Sequence, residues 1–121
     1  YVDDYGLNKC VDFLLEIDHT QLNIFYNSLD LFILPSYYEA LGCVYMEALQ
    51  IGLPIIAVSG QGIEEVIAET DKEMSLIEKK DYKKLAEKIK FIYENENTIT
   101  RTVFDIRINT LISDFLKFIH D

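Results

Sequence analysis

Between Cys10 and Asp71 the chain contains no lysine and no arginine. Tyr1 to Asp71 holds 12 acidic residues against one base, Lys9, whereas Lys72 to Asp121 holds 10 basic and 9 acidic residues. The net charge is −10. A chain of that sign repels nucleic acid and anionic membrane surfaces, which argues against both as partners of the isolated chain, and an anion site in the first half must rely on backbone donors. Cysteine is equally sparse: Cys10 and Cys43 stand without ligand-like spacing, which suits a reducing compartment better than a disulfide framework. No apolar run approaches a membrane span, and no basic stretch followed by an apolar core opens the sequence. These absences predict a cytoplasmic protein. There is also no internal repeat, no low-complexity segment and no sustained heptad pattern.

What is present is concentrated in LFILPSYYEALGCVYMEALQIGLPIIAVSGQGIEEVI, Leu31 to Ile67. Leu31 to Leu34 is a short apolar run stopped by Pro35 and reads as a strand buried on both faces. After a polar and aromatic loop ending at Gly42, the residues Val44, Glu47, Ala48 and Ile51 recur at helical spacing up to Gly52. Pro54 to Val58 gives a second strand, and Ser59-Gly60-Gln61-Gly62 leads into a short helix from Ile63 to about Ala68. Strands separated by crossover helices are parallel, so the fold class is α/β, a doubly wound parallel sheet whose ligands bind at the carboxyl edge of the strands. Glu39 falls at that edge.

Around this unit, Cys10 to Ile17 reads as a further strand, and Asp18 or Thr20 caps a helix carrying Leu22, Phe25, Tyr26 and Leu29. Glu73 to Ile77 reads as a fourth, weaker strand. A helix from about Tyr82 to Tyr93 turns Leu85, Ile89 and Ile92 inward and its lysine-rich face outward. Asn95 to Thr98 breaks the pattern before a last helix, from about Ile99 to His120, with a broad apolar stripe that calls for a partner surface.

Glu39 and Glu47 are the leading candidates for chemistry. Their offset sets one carboxylate in the loop after a strand and the other a turn inside the next helix, where ionised oxygens can accept paired hydrogen bonds from sugar or ribose hydroxyls. The plainer use stays open on spacing alone: Glu39 favouring a positive helix end, Glu47 on a solvated face. Leu41-Gly42-Cys43-Val44 supplies free amides at a helix start, an anion site if a ligand approaches, a mere turn otherwise. Gly60-Gln61-Gly62 lacks the full dinucleotide fingerprint. His19 and His120 have no partners at metal spacing, and no metal is expected. Cys43, a thiol at a helix start and so a candidate nucleophile, has no histidine partner in the sequence pattern. Tyr37 and Tyr38 could wall a sugar, although packing is the commoner use of such rings.

SYYEALGCVYMEALQIGLPIIAVSGQGIEEVI resembles the carboxyl-terminal donor-binding domain of the group 1 glycosyltransferases, the retaining family four of the two-domain GT-B fold. Glu39 and Glu47 match its signature of two glutamates with seven residues between them. Pro35-Ser36, Glu47-Ala48, Gly52-x-Pro54 and Gly62-Ile63-x-Glu65-Val66-Ile67 follow its order, and the likeness runs from about Cys10 to Tyr93. The resemblance implies that Glu39, with the amides of Leu41, Gly42 and Cys43, binds the donor sugar, and that Val44 and Glu47 hold the nucleotide. Ala40, Leu41, Val44 and Glu64 depart from the family's usual Gly, aromatic, Pro and Pro, and Ala40 would be strained if its φ were positive.

On this resemblance, residues 1–121 are the latter, Rossmann-like part of a nucleotide-sugar donor domain, with the acceptor domain and a basic catalytic pair upstream of Tyr1. The parent enzyme would move a sugar from a nucleotide diphosphate to a sugar, lipid or polysaccharide acceptor, needing no cofactor, in the cytoplasm or at the inner membrane face. The isolated chain would be inactive and prone to self-association. The rival is a non-catalytic α/β binding module on the same framework.

Overall fold

In the computed structural model, residues 1–95 are described. The sheet has three parallel strands, β1 (Phe32–Leu34), β2 (Ile55–Val58) and β3 (Leu76–Ile77), in the order β1-β2-β3. Phe32 pairs with Ile55 and Leu34 with Ala57, while Ala57 and Val58 pair with Leu76 and Ile77. The helices in chain order are α1 (Leu22–Asn27), α2 (Cys43–Gln50), α3 (Ile63–Val66), α4 (Lys72–Ser75) and α5 (Tyr82–Glu94). A 3-10 turn, His19–Gln21, precedes α1. Asp18 caps it by accepting from the amide of Thr20 at 2.8 Å and its hydroxyl at 2.6 Å, and these bonds hold the Asp18 carboxyl below its usual range.

Helices on both faces explain why β2 is an unbroken apolar run. Ile55 and Ala57 pack on one face with Tyr26, Tyr45, Leu49, Leu53 and Ile63. Ile56 and Val58 turn to the other, with Ile77, Leu85 and Ile92. This is the alternation expected of a central parallel strand covered twice. It is β2 that is buried on both faces; β1 is only half-buried, since β2 is its sole partner among the described residues.

Three expectations are corrected. Cys10 to Ile17 forms no strand: Cys10 lies in a turn, donating to Leu7 O, and Phe13, Leu14 and Leu15 are exposed. Apolar content makes a strand only where a neighbour takes its backbone hydrogen bonds, and among the described residues none does. Within Glu73–Ile77 only Leu76 and Ile77 are strand. The Asp71 carbonyl accepts from the amides of Met74 and Ser75 and winds Lys72–Ser75 into a helical turn, so the strand begins where the chain meets β2. In α5, Leu85 and Ile92 face the core as expected, but Ile89 is exposed and Lys88 is buried in its place. The Lys88 stem runs inward and its ammonium donates to the Glu73 carbonyl. Burial, and then the nearby Lys84, lowers its pKa. The expected helix from Ile99 to His120 lies outside the described residues.

Candidate functional site

The loop from Pro35 to Gly42 leaves the carboxyl end of β1 and delivers the chain into α2. Gly42 is the N-cap, with φ at +70°, and no side chain caps the first turn. Only glycine fits there. A Cβ on Gly42 would lie 2.6 Å from a ring carbon of Tyr45 and 2.9 Å from Cγ of Glu39. The same packing sets Glu39 against the helix start, half-buried, its carboxylate taking no hydrogen bond among the described residues. Tyr45, fully buried, donates to the Leu34 carbonyl at 2.7 Å and so ties α2 to the end of β1. Its pKa is pushed up to about 12 by burial, with the negative charge of Glu39 adding to the shift.

Glu47 stands one turn inside α2 and is half-buried. The hydroxyl of Tyr26 donates to its Oε2 at 2.8 Å, and among the described residues Oε1 takes no bond. Burial first, then this contact with Glu47, pushes the Tyr26 pKa up to about 12. A cleft of about 440 Å³ opens beside the pair, lined by His19, Leu22, Asn23, Tyr26, Glu47 and Gln50 among others. The structure thus brings Glu39, Leu41, Gly42, Cys43 and Val44 together at one helix start and sets Glu47 on the flank of that helix that faces α1. Leu41 and Cys43 are exposed, Val44 half-buried.

The feared strain at Ala40 is absent. The one residue other than glycine with positive φ among those described is Lys80, at +65° in the turn after β3. Its ammonium lies 5.6 Å from the ring centroid of Tyr37. Tyr37 and Tyr38 are exposed, so core packing is not their use. A smaller hollow of about 140 Å³ separates Tyr37 from Lys79, Lys80 and Tyr82. His19 lines the cleft, and among the described residues no three of His, Cys, Asp or Glu are grouped to hold a metal ion.

Two contributors were not foreseen. Tyr26 reads in sequence as one of an apolar helix stripe, though a tyrosine in such a stripe signals a hydroxyl in need of a partner. Gln61 is buried and reaches from the β2–α3 turn to the loop after β1, donating from Nε2 to the Ser36 carbonyl at 2.8 Å. Gly62 beside it approaches so closely that a Cβ there would stand 1.9 Å from Ala40 O. Gly60 donates its amide to the Glu64 carboxylate at 2.6 Å. The glycine turn is therefore a brace under the Glu39 loop; its own amide at Gly60 is already engaged.

A parallel α/β sheet with a capless helix start and two acidic side chains beside its carboxyl edge defines a Rossmann-like domain. The chain belongs to the group 1 glycosyltransferases: the sequence pattern described as "Glycosyl transferases group 1" matches residues 1–106. Among solved structures it resembles sucrose-phosphate synthase from Thermosynechococcus elongatus, with a TM-score of 0.74 and 31% identity over 86% of this chain and 26% of that one. Among curated relatives, D-inositol 3-phosphate glycosyltransferase 2 of Catenulispora acidiphila is 33% identical over 64 residues, 53% of this chain and 15% of that protein. The D-inositol 3-phosphate glycosyltransferase of Mycobacterium bovis is 36% identical over 61 residues, 50% of this chain and 13% of that protein. The chain thus spans about one seventh of these curated relatives. Membership and named relatives favour the transferase reading over a non-catalytic module. Among the described residues no helix is long and apolar enough to cross a membrane.

Proposed function

We propose that this chain supplies the donor-binding side of a retaining, hexosyltransferase-like glycosyltransferase that moves a sugar from a nucleotide diphosphate to a sugar, lipid or polysaccharide acceptor. The observation that carries the reading is the placement of the glutamate pair. Glu39 is a carboxylate without a hydrogen bond among the described residues at the capless start of α2, and Glu47, oriented by Tyr26, lines the roomier cleft beside it. In this reading Glu39 and the amides of Leu41, Gly42 and Cys43 receive the sugar and its phosphate, the Val44 amide meets the nucleotide's pyrophosphate, and Glu47 holds the ribose. Carboxylate oxygens accept from vicinal hydroxyls, and first-turn amides donate to phosphate oxygens. No cofactor or metal takes part. In this reading residues 1–121 are the latter part of the donor domain, working beside a basic pair and an acceptor domain, and the cations that stabilise the leaving diphosphate lie outside residues 10–71, which hold neither lysine nor arginine. The setting is cytoplasmic, at the inner membrane face when the acceptor is a lipid. The exposed Phe13, Leu14 and Leu15 favour self-association of the chain on its own.

Calorimetric titration of the chain and its Glu47→Ala and Glu39→Gln variants with UDP, GDP, UDP-glucose and GDP-mannose tests the assignment. Loss of the Glu47 carboxylate should weaken nucleotide binding by about tenfold or more, the worth of a charge-assisted hydrogen bond. Glu39→Gln should weaken only the sugar-bearing ligands. Unchanged affinities in both variants would overturn the roles.

A further inference from the structure

Gln61 is the one residue of the glycine turn whose side chain is buried, at 8% exposure, and it is used on one side only. Nε2 donates to the Ser36 carbonyl, whereas Oε1 is buried and receives no hydrogen bond among the described residues. The two atoms share one carbon, so Oε1 lies no further than about 5 Å from Ser36 O, beneath the loop that carries Glu39. Turning the amide over would set Oε1 against the Ser36 carbonyl, oxygen facing oxygen, and is disfavoured. An acceptor buried without a partner is costly, and native structures retain few of them. One residue on, Gly62 sits against the carbonyl of Ala40 at a distance that admits no side chain. The turn therefore grips the Glu39 loop at both of its ends, by a hydrogen bond at Ser36 and by backbone contact at Ala40. Nothing else in the glycine turn explains a long polar side chain there. An apolar residue of the same volume would fill the space without the orphaned oxygen.

We propose that Gln61 is a positioning residue for the sugar end of the donor site, its amide fixing the Ser36–Gly42 loop so that Glu39 meets the donor sugar, with Oε1 taking up a hydrogen-bond donor when the nucleotide sugar binds. The inference rests on the donor-site reading above. Gln61 acts through the loop and not on the nucleotide, which lies with Glu47 on the other flank of α2. Its removal should therefore separate two affinities that a general loss of stability would lower together.

Gln61→Met keeps the volume and removes both polar ends. With the chain titrated by UDP against UDP-glucose and by GDP against GDP-mannose, the variant should lose about three- to tenfold of its affinity for whichever nucleotide sugar binds, the range of one hydrogen bond, and lose clearly less for the bare diphosphate, which meets the loop's amides but makes no use of Glu39. Equal loss for both members of a pair, or no loss, overturns the proposal. A ligand-free measurement decides it independently: the amide NMR signals of Ala40, Leu41 and Gly42 should shift and broaden in Gln61→Met while those of Tyr26 and Glu47 hold still. If that variant does not fold, the wild-type chain is the readout. The Gln61 side-chain amide signals should move on addition of a nucleotide sugar but not of the diphosphate, and movement with neither or with both overturns it. Glu39→Gln and Glu47→Ala run alongside separate the two readings. Binding insensitive to both glutamates removes the donor-site roles, whereas sensitivity to them with an unperturbed Gln61→Met loop removes only the role of Gln61.

Discussion

Tyr26 shows how one hydroxyl can serve both the core and the site. Its ring packs between Phe25 and Phe32, and its oxygen emerges at the cleft to hold Glu47. Tyr26→Phe keeps the ring and deletes only the bond, so nucleotide affinity should fall about three- to tenfold while the fold persists, with a stability loss of about 1 kcal/mol in urea unfolding. A larger loss of affinity for nucleotide sugar than for nucleotide would instead tie Tyr26 to Glu39. The two buried tyrosines also set an alkaline limit. Tyr26 and Tyr45 titrate near 12 in the folded chain against 10.0 ordinarily, so folding disfavours their ionised forms. Their contribution is fully present below pH 10 and is lost as pH rises from 10 towards 12. The urea midpoint should be lower at pH 11 than at pH 9, and tyrosinate absorbance should show a late fraction appearing together with unfolding. Of the site, the glutamate pair and the glycine-led helix start were legible in sequence, because spacing along one loop and one helix is local. The partners Tyr26 and Gln61 were not. They lie 21 residues before Glu47 and 25 after Ser36, and only the sheet brings them near.

At the scale of elements, the apolar pattern located the one-sided helix and the doubly covered strand and failed where a single residue overrides it. α2 and β2 follow the pattern closely. In α5 the apolar spacing placed Ile89 inward, yet the inward position went to Lys88, whose long stem reaches the carbonyl of Glu73 in α4. The short helical turn of α4 leaves that carbonyl facing α5, which no pattern in EMSLI discloses. Lys88→Ala removes both the stem and the bond and should cost about 1–3 kcal/mol in chemical denaturation. Lys88→Met keeps the stem, and should recover part of that loss because it also abolishes the cost of a buried ammonium. If Met is worse than Ala, the ammonium itself supports the packing of α4 on α5. Cys10 to Ile17 makes the complementary point: a sequence can specify apolar content, but a strand needs a second strand.

The whole molecule is defined by its field. Tyr1 to Asp71 holds 12 acidic residues and one base, and every residue assigned to the donor lies within that half. Local donors at the start of α2 attract a diphosphate at short range, whereas the surrounding carboxylates repel it over a longer one. Only Lys79 and Lys80, in the turn after β3, bring cations to the carboxyl edge among the described residues, and the Lys80 ammonium is drawn to Tyr37. Salt screens the two ranges unequally. At 0.1 M ionic strength the screening length is about 10 Å, which removes most of the distant repulsion and leaves contact hydrogen bonds largely intact. The chain should therefore bind UDP or GDP more tightly, by about two- to threefold, between 10 and 100 mM potassium chloride. A cation-lined site would do the reverse. Exchanging Lys79 and Lys80 together for glutamine should leave the sign of this salt dependence unchanged and weaken binding at every salt concentration. Affinity that falls steadily with salt would show that the two lysines, not the amides of α2, hold the diphosphate, and would move its subsite from the start of α2 to the hollow between Tyr37 and the turn after β3.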